Sequence, residues 1–170
     1  MVDVIPASGI LDFFRTGFEH AAWRLETRRS YAADEATGEY QDFLRGVTPP
    51  RDDGPWFRLM RERTAAGARI ERVRLVDDPP SDGQRYLLAT TPDNLAAGED
   101  IRFLTRARAA ELALPGEDFW LFDSRVLGCF NWTDASRRME LTTDPADVVA
   151  ACRARDAAWH HALRYEEFTR

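Results

Sequence analysis

At 170 residues the chain is the size of one domain, and its 44% hydrophobic and 31% charged residues give it a soluble, globular composition. No apolar run approaches the ~20 residues that span a bilayer, and a net charge of −6 argues against direct nucleic-acid binding, which needs surplus cations to displace counterions from phosphates. All 23 basic residues are arginine, so Schiff-base chemistry, a lysine general base and a P-loop lysine are excluded, because guanidinium cannot imitate a compact amine.

The first residues, "MVDVIPASGILDFF", carry an acid at position 3 and no basic n-region, so no secretory signal and a cytoplasmic location are expected. From Ile10 to about Leu25, residues Leu11, Phe14, Phe18, Ala21, Ala22 and Leu25 recur at three- and four-residue steps, which predicts one helix face with Ser8 as its cap. "RLETRRSYAA" then reads as extended, with Glu26 and Arg24 as a candidate buried pair, and a short helix stops at Gly46. A second helix follows Gly54 and Pro55 and ends at Gly67. "ARIERVRLVDDPP" alternates with period two, placing Arg72 and Arg74 on one side of a strand and Val73 and Leu75 on the other.

Tyr86 to Ala89 reads as a strand or short helix before a Pro-Asp-Asn turn. Ile101 to Leu104 reads as a strand, and a short helix ends at Pro115. Phe119 to Phe122 and Val126 to Phe130 read as a hairpin; the first run is apolar throughout, which predicts cover on both faces. Asp144 caps a last helix, with Pro145 at its first position, running to about Tyr165 and burying Val148, Cys152, Trp159 and Leu163. Helix, glycine, strand units around an aromatic-rich centre predict a mixed α/β fold, a central mixed sheet covered by helices.

The side chains that could carry function are few. Cys129 and Cys152 lack disulfide or metal-ligand spacing and read as buried thiols. His160 and His161 are adjacent on a helix, about 100° apart, so both cannot face one metal, and neither a metal nor a cofactor is expected. Arg72, Arg74 and Arg85, with Asp118 and Asp123 near the ends of neighbouring elements, form either ion pairs on a solvated face or an anion-binding cluster, since bidentate guanidinium matches carboxylate and phosphate. Trp132, next to a polar residue at a strand end, is the tryptophan expected on a partner surface.

"RERTAAGARIERVRLV" followed by "DFWLFDSRVLGCFN" resembles half of a phospholipase D-like domain, in which a helix-Gly-strand unit precedes His-x-Lys-x4-Asp, a turn, and Gly-Ser-x-Asn. Asp123 matches the motif aspartate, and Gly128 and Asn131 match the last element, with Cys129 where the family has serine. The nucleophilic histidine falls on Gly116 and the phosphate-holding lysine on Asp118, so the resemblance implies a frame without its chemistry. More of the chain, Phe13 to Tyr165, is similar to an actinobacterial family of unknown function through "RLETRRSY", "AAGARIERVRLV", "AGEDIRFLTR", "DFWLFD" and the terminal Trp159 to Ala162. Genes of that family commonly sit beside helix-turn-helix regulators. These resemblances imply a non-enzymatic regulatory module acting with a separately encoded helix-turn-helix regulator, and a homodimer. The competing expectation is a sensor or enzyme that takes a small anionic ligand in the Arg-carboxylate cluster.

Overall fold

The computed structural model describes residues 3–131 and 138–170. Strands β1 (Asp3–Pro6), β2 (Ala21–Glu26), β3 (Arg69–Val76), β4 (Asp100–Thr105), β5 (Phe119–Phe122), β6 (Val126–Asn131), β7 (Arg138–Thr142) and β8 (Leu163–Arg164) form one mixed sheet in the order β1-β7-β6-β5-β2-β3-β4-β8. β2, β3 and β4 run parallel, and every other pairing is antiparallel. The helices are α1 (Ile10–Thr16), α2 (Ala32–Glu35), α3 (Gly38–Leu44), α4 (Pro55–Ala65), α5 (Asp82–Ala96), α6 (Arg106–Glu111), α7 (Pro145–His161) and α8 (Tyr165–Phe168).

Alternation along the central strands sends successive side chains to opposite faces, and both faces are covered. On one, Ala22, Ile70, Trp120 and Phe122 pack with Phe14 of α1 and with Leu59 and Met60 of α4. On the other, Trp23, Leu25, Val73, Leu75 and Leu121 pack with Ala109 of α6 and with Val148, Ala151 and Ala158 of α7. This double cover is why Phe119–Phe122 is apolar at every position. At Gly128 in β6 a Cβ would lie 3.0 Å from both Met139 and Phe122, so glycine lets the aromatic layer close against the sheet.

Four expectations from the sequence are corrected. The first helix stops at Thr16, and Ala21–Glu26 is strand β2. Helical spacing misleads there because Ala22 and Leu25 are buried on opposite faces of a strand, and the backbone N–H groups of Glu19, His20 and Ala21 are taken by the Asp123 carboxylate. The Tyr86 region belongs to the long helix α5, which runs through Pro92. A capping box between Ser81 and Gln84 fixes its start, and Pro92 lies on the exposed side, where its missing N–H removes one helical bond without a packing clash. Cys129 is exposed and Cys152 half-buried, so neither is a core thiol; Leu163 lies beyond the last long helix in β8, exposed.

Candidate functional site

The face that carries Ala22, Ile70 and Phe122 changes character toward the C-terminal ends of the parallel strands. Arg24 pairs in register with Arg72 of β3 and Trp120 of β5, and Glu26 with Arg74. Alternation therefore sets Arg24, Glu26, Arg72 and Arg74 side by side on one patch of a sheet whose rest is apolar. Burying four charges there is tolerable only if each is paired and hydrogen-bonded.

Each is. Glu26 takes Arg24 Nη1 at 3.1 Å and Arg72 Nη1 at 2.9 Å on Oε1, and Arg74 Nε on Oε2. Arg72 Nε donates to Glu99 Oε2 at 2.7 Å, while Glu99 Oε1 accepts from Trp56 Nε1 at 2.7 Å and Asn94 Nδ2 at 3.1 Å. Arg24 Nη2 donates to Asp118 Oδ2 at 3.1 Å, and that oxygen also accepts from the Tyr31 hydroxyl at 2.6 Å. Asp118 Oδ1 accepts from the Thr27 backbone N–H at 2.7 Å. Arg74 Nη1 reaches Thr91 Oγ1 at 2.8 Å and the Leu87 carbonyl at 3.2 Å. Three cations face three anions. The guanidinium planes add aromatic contact, Arg72 5.2 Å from the rings of both Trp56 and Trp120, and Arg24 5.4 Å from Tyr31.

The electrostatics follow. Burial alone would raise the Glu26 carboxyl, but Arg74, Arg24 and Arg72 outweigh it and hold the group well below the usual carboxylate range. Burial, then the Glu26 and Asp118 charges, push the Tyr31 hydroxyl far up, so it stays a donor to Asp118. Burial opposes the charge on Arg72, yet Glu99 and Glu26 raise it above its ordinary value.

Above this patch lies a cleft of about 760 Å³, within the range of small-molecule sites. Its floor is Arg24, Glu26, Arg72 and Arg74. One wall is a stripe of α5 made by Tyr86, Leu87, Thr90, Asp93 and Asn94; Phe14, Trp56, Phe57 and Trp120 make another. Among the described residues the Nη2 atoms of Arg72 and Arg74 have no hydrogen-bond partner, and neither is sealed from solvent. Both arginines line the cleft, so each presents one charged donor group to whatever enters.

The residues singled out from sequence are distributed unevenly around this site. Arg72 and Arg74 line it. Asp118 is buried beside it as the anchor of Arg24 and Tyr31. Arg85 is exposed on α5, bonded to Asp82, and does not line the cleft. Asp123 sits at the far end of β5 from Asp118, with φ of 50°, where its oxygens accept from three backbone N–H groups at 2.7 to 2.8 Å. Trp132 lies outside the described residues. Sequence reading missed Tyr31, Trp56 and Asn94, whose approach to the strands depends on long-range folding. Glu26 and Arg24, two apart in a strand, were legible as a pair.

Gly116, at the position of the motif histidine, has nothing within 4 Å of where a Cβ would stand. His160 and His161 meet edge to face, 4.8 Å between ring centroids, on the last long helix and away from the cleft lining. Among the described residues no three His, Cys, Asp or Glu side chains are grouped so as to hold a metal ion. Among them, too, no helix is long and apolar enough to cross a membrane.

The model of a family described as a domain of unknown function (DUF6879) matches residues 9–170, and the chain belongs to that family. No curated protein matches it. Among solved structures, NucT from Helicobacter pylori is similar over 96% of this chain and 98% of its own, with a TM-score of 0.57 and 8% sequence identity. That likeness shows a shared fold: the mixed sheet flanked by helices is phospholipase D-like.

Proposed function

We propose that this member of the DUF6879 family is a non-enzymatic binding module whose cleft holds a small ligand by an anionic head group. The observation that carries the reading is the pair of open Nη2 groups on Arg72 and Arg74, fixed by Glu26 and Glu99 at the floor of a cleft of about 760 Å³. Pre-positioned guanidinium donors bind carboxylate or phosphate without first losing side-chain entropy, since the buried carboxylates already hold them. A nucleophile is not in place: where a phospholipase D-like site needs an imidazole and an ammonium, this chain has Gly116 and Asp118, and Arg24 neutralises the latter.

In this reading occupancy of the cleft is the signal, and a separately encoded helix-turn-helix regulator reads it; the family resemblance supports that partner, and a homodimer with it. The test is a thermal-shift screen with acetate, citrate, inorganic phosphate and AMP, repeated on Arg74→Lys, which keeps the charge but loses Nη2. A rise in Tm that is lost in Arg74→Lys supports the proposal. No rise with any of these acids, on folded protein, overturns it.

A further inference from the structure

The open groups on Arg72 and Arg74 are donors, and an open acceptor stands beside them. Asn94 is 7% exposed and lines the cleft, and its Nδ2 donates to Glu99 Oε1 at 3.1 Å. A carboxylate that also takes the Trp56 Nε1 and Arg72 Nε donors is met by the amide nitrogen and not by the amide oxygen, which settles how the Asn94 side chain is turned. Among the described residues its Oδ1 has no hydrogen-bond partner, and it is not sealed from solvent. Helix α5 sets this oxygen close to the arginines. Leu87, Thr91 and Asn94 fall at i, i+4 and i+7 and so share one helix face. The Leu87 carbonyl and Thr91 Oγ1 hold Arg74 Nη1 at 3.2 and 2.8 Å, and Asn94 meets Arg72 through their common partner Glu99. Half-buried apolar side chains flank the cleft, Ile10, Trp56 and Phe57 on one wall and Tyr86 and Leu87 on the other.

A ligand that displaces water from Oδ1 of Asn94 without replacing its hydrogen bond strands a polar atom, whereas one that brings a donor gains a bond. We propose that the cleft takes a small carboxylic acid with an apolar body and a hydroxyl or amide N–H near its head, the carboxylate on Nη2 of Arg72 and Arg74, the donor on Oδ1 of Asn94 and the body between Phe57 and Leu87. This rests on the reading of the cleft as an anion-binding site and adds the nature of the ligand.

The experiment is calorimetric titration of the full chain with three donor-bearing acids (3-phenyllactate, 3-hydroxy-3-phenylpropionate and N-acetylphenylalanine, both enantiomers of each), with 3-phenylpropionate and 2-methoxy-3-phenylpropionate as acids without the donor, with lactate as the acid without the body, and with inorganic phosphate. The titrations are repeated on Asn94→Ala. Any disturbance that this variant passes through Glu99 to Arg72 falls on all the acids alike, so the ratio between acids with and without the donor isolates the Asn94 oxygen. At least one donor-bearing acid is expected to bind about three- to tenfold tighter than 3-phenylpropionate, the worth of one hydrogen bond, and this ratio falls to about one in Asn94→Ala. 3-Phenyllactate is expected to bind about tenfold or more tighter than lactate. Either acid without the donor binding as tightly as the best donor-bearing acid, or a ratio unchanged in Asn94→Ala, overturns the part given to Asn94 and leaves anion binding standing. The methoxy acid needs no variant, so this comparison decides even where Asn94→Ala does not fold. Lactate matching 3-phenyllactate overturns the apolar body. Binding of phosphate and of none of the carboxylates overturns the acid named here alone, and no binding by any of these anions overturns the anion-binding reading as well.

Discussion

Nη1 of Arg72 lies 2.9 Å from Oε1 of Glu26, with both side chains more than nine-tenths buried, and the same carboxylate holds Arg24 and Arg74. One anion thus positions three cations, so its removal leaves an excess of buried positive charge. Glu26→Gln keeps the side-chain volume and removes only the charge. Breaking a buried pair from one side costs about 3–5 kcal/mol, and a loss of that size is expected in urea unfolding. A loss under about 1 kcal/mol would mean that the three guanidiniums are held by packing and by Glu99 and Asp118 alone.

The same carboxylate sets the acid limb of stability. Its folded pKa lies below its ordinary value of 4.5, so its contribution is fully present above 4.5 and is lost as pH falls through the folded value. Asp77 and Asp123 shift in the same direction, each against the effect of burial, through side-chain and backbone hydrogen bonds respectively. Stability is therefore expected to hold level from neutral pH to about pH 5 and to decline below it. Glu26→Gln should show a shallower decline than the unmodified chain. Equal slopes in the two proteins, measured as urea midpoint against pH, would contradict the assignment.

Asp123 has a different part. Its oxygens accept from the backbone N–H groups of Glu19, His20 and Ala21 and so tie the β5–β6 turn to the entry of β2. Its φ of 50° is in the left-handed region that asparagine tolerates better than alanine. Asp123→Ala should cost roughly 2–3 kcal/mol, from lost charge-assisted bonds and an unfavourable backbone, and Asp123→Asn about half of that. Ligand binding should be unaffected in both, because Asp123 does not line the cleft. A ligand affinity that falls with Asp123→Asn would place this turn in the site after all.

The sequence displayed what is local and hid what is not. The period-two run of β3 put Arg72 and Arg74 on one face, and Gly67, Pro55, Asp144 and Pro145 marked helix ends where they occur. Ala21, Ala22 and Leu25 fit a helix and a strand equally well, and the choice is made by Asp123, about a hundred residues away. Pro92 reads as a break until Leu88 and Leu95 are seen packed against β4 residues. The buried charges were visible as residue types, but a face of arginines reads as solvated unless its carboxylates are known to arrive from β2 and from the residues just before β4 and β5. Glu99 and Asp118 supply that knowledge only through the strand order.

Arg24 and Asp118 offer the sharpest test of whether the buried charges act as matched pairs. Asp118 stands at the motif lysine position, and the cation that faces it comes instead from the adjacent strand, 3.1 Å away on Arg24. If the two are a matched pair, removing either alone strands the other in a buried setting, while removing both does not. A double-mutant cycle of Arg24→Met and Asp118→Leu should show each single variant destabilised by about 3–5 kcal/mol and the double variant by clearly less than their sum, a coupling of roughly 2 kcal/mol or more. Asp118→Lys is expected to be the least stable of the series, because it sets a second cation against Arg24 and removes the Asp118 oxygens that accept from the Tyr31 hydroxyl and the Thr27 backbone N–H. A stable Asp118→Lys protein would show that Arg24 can turn away and that the Arg24–Asp118 pair is not needed to hold this end of β5.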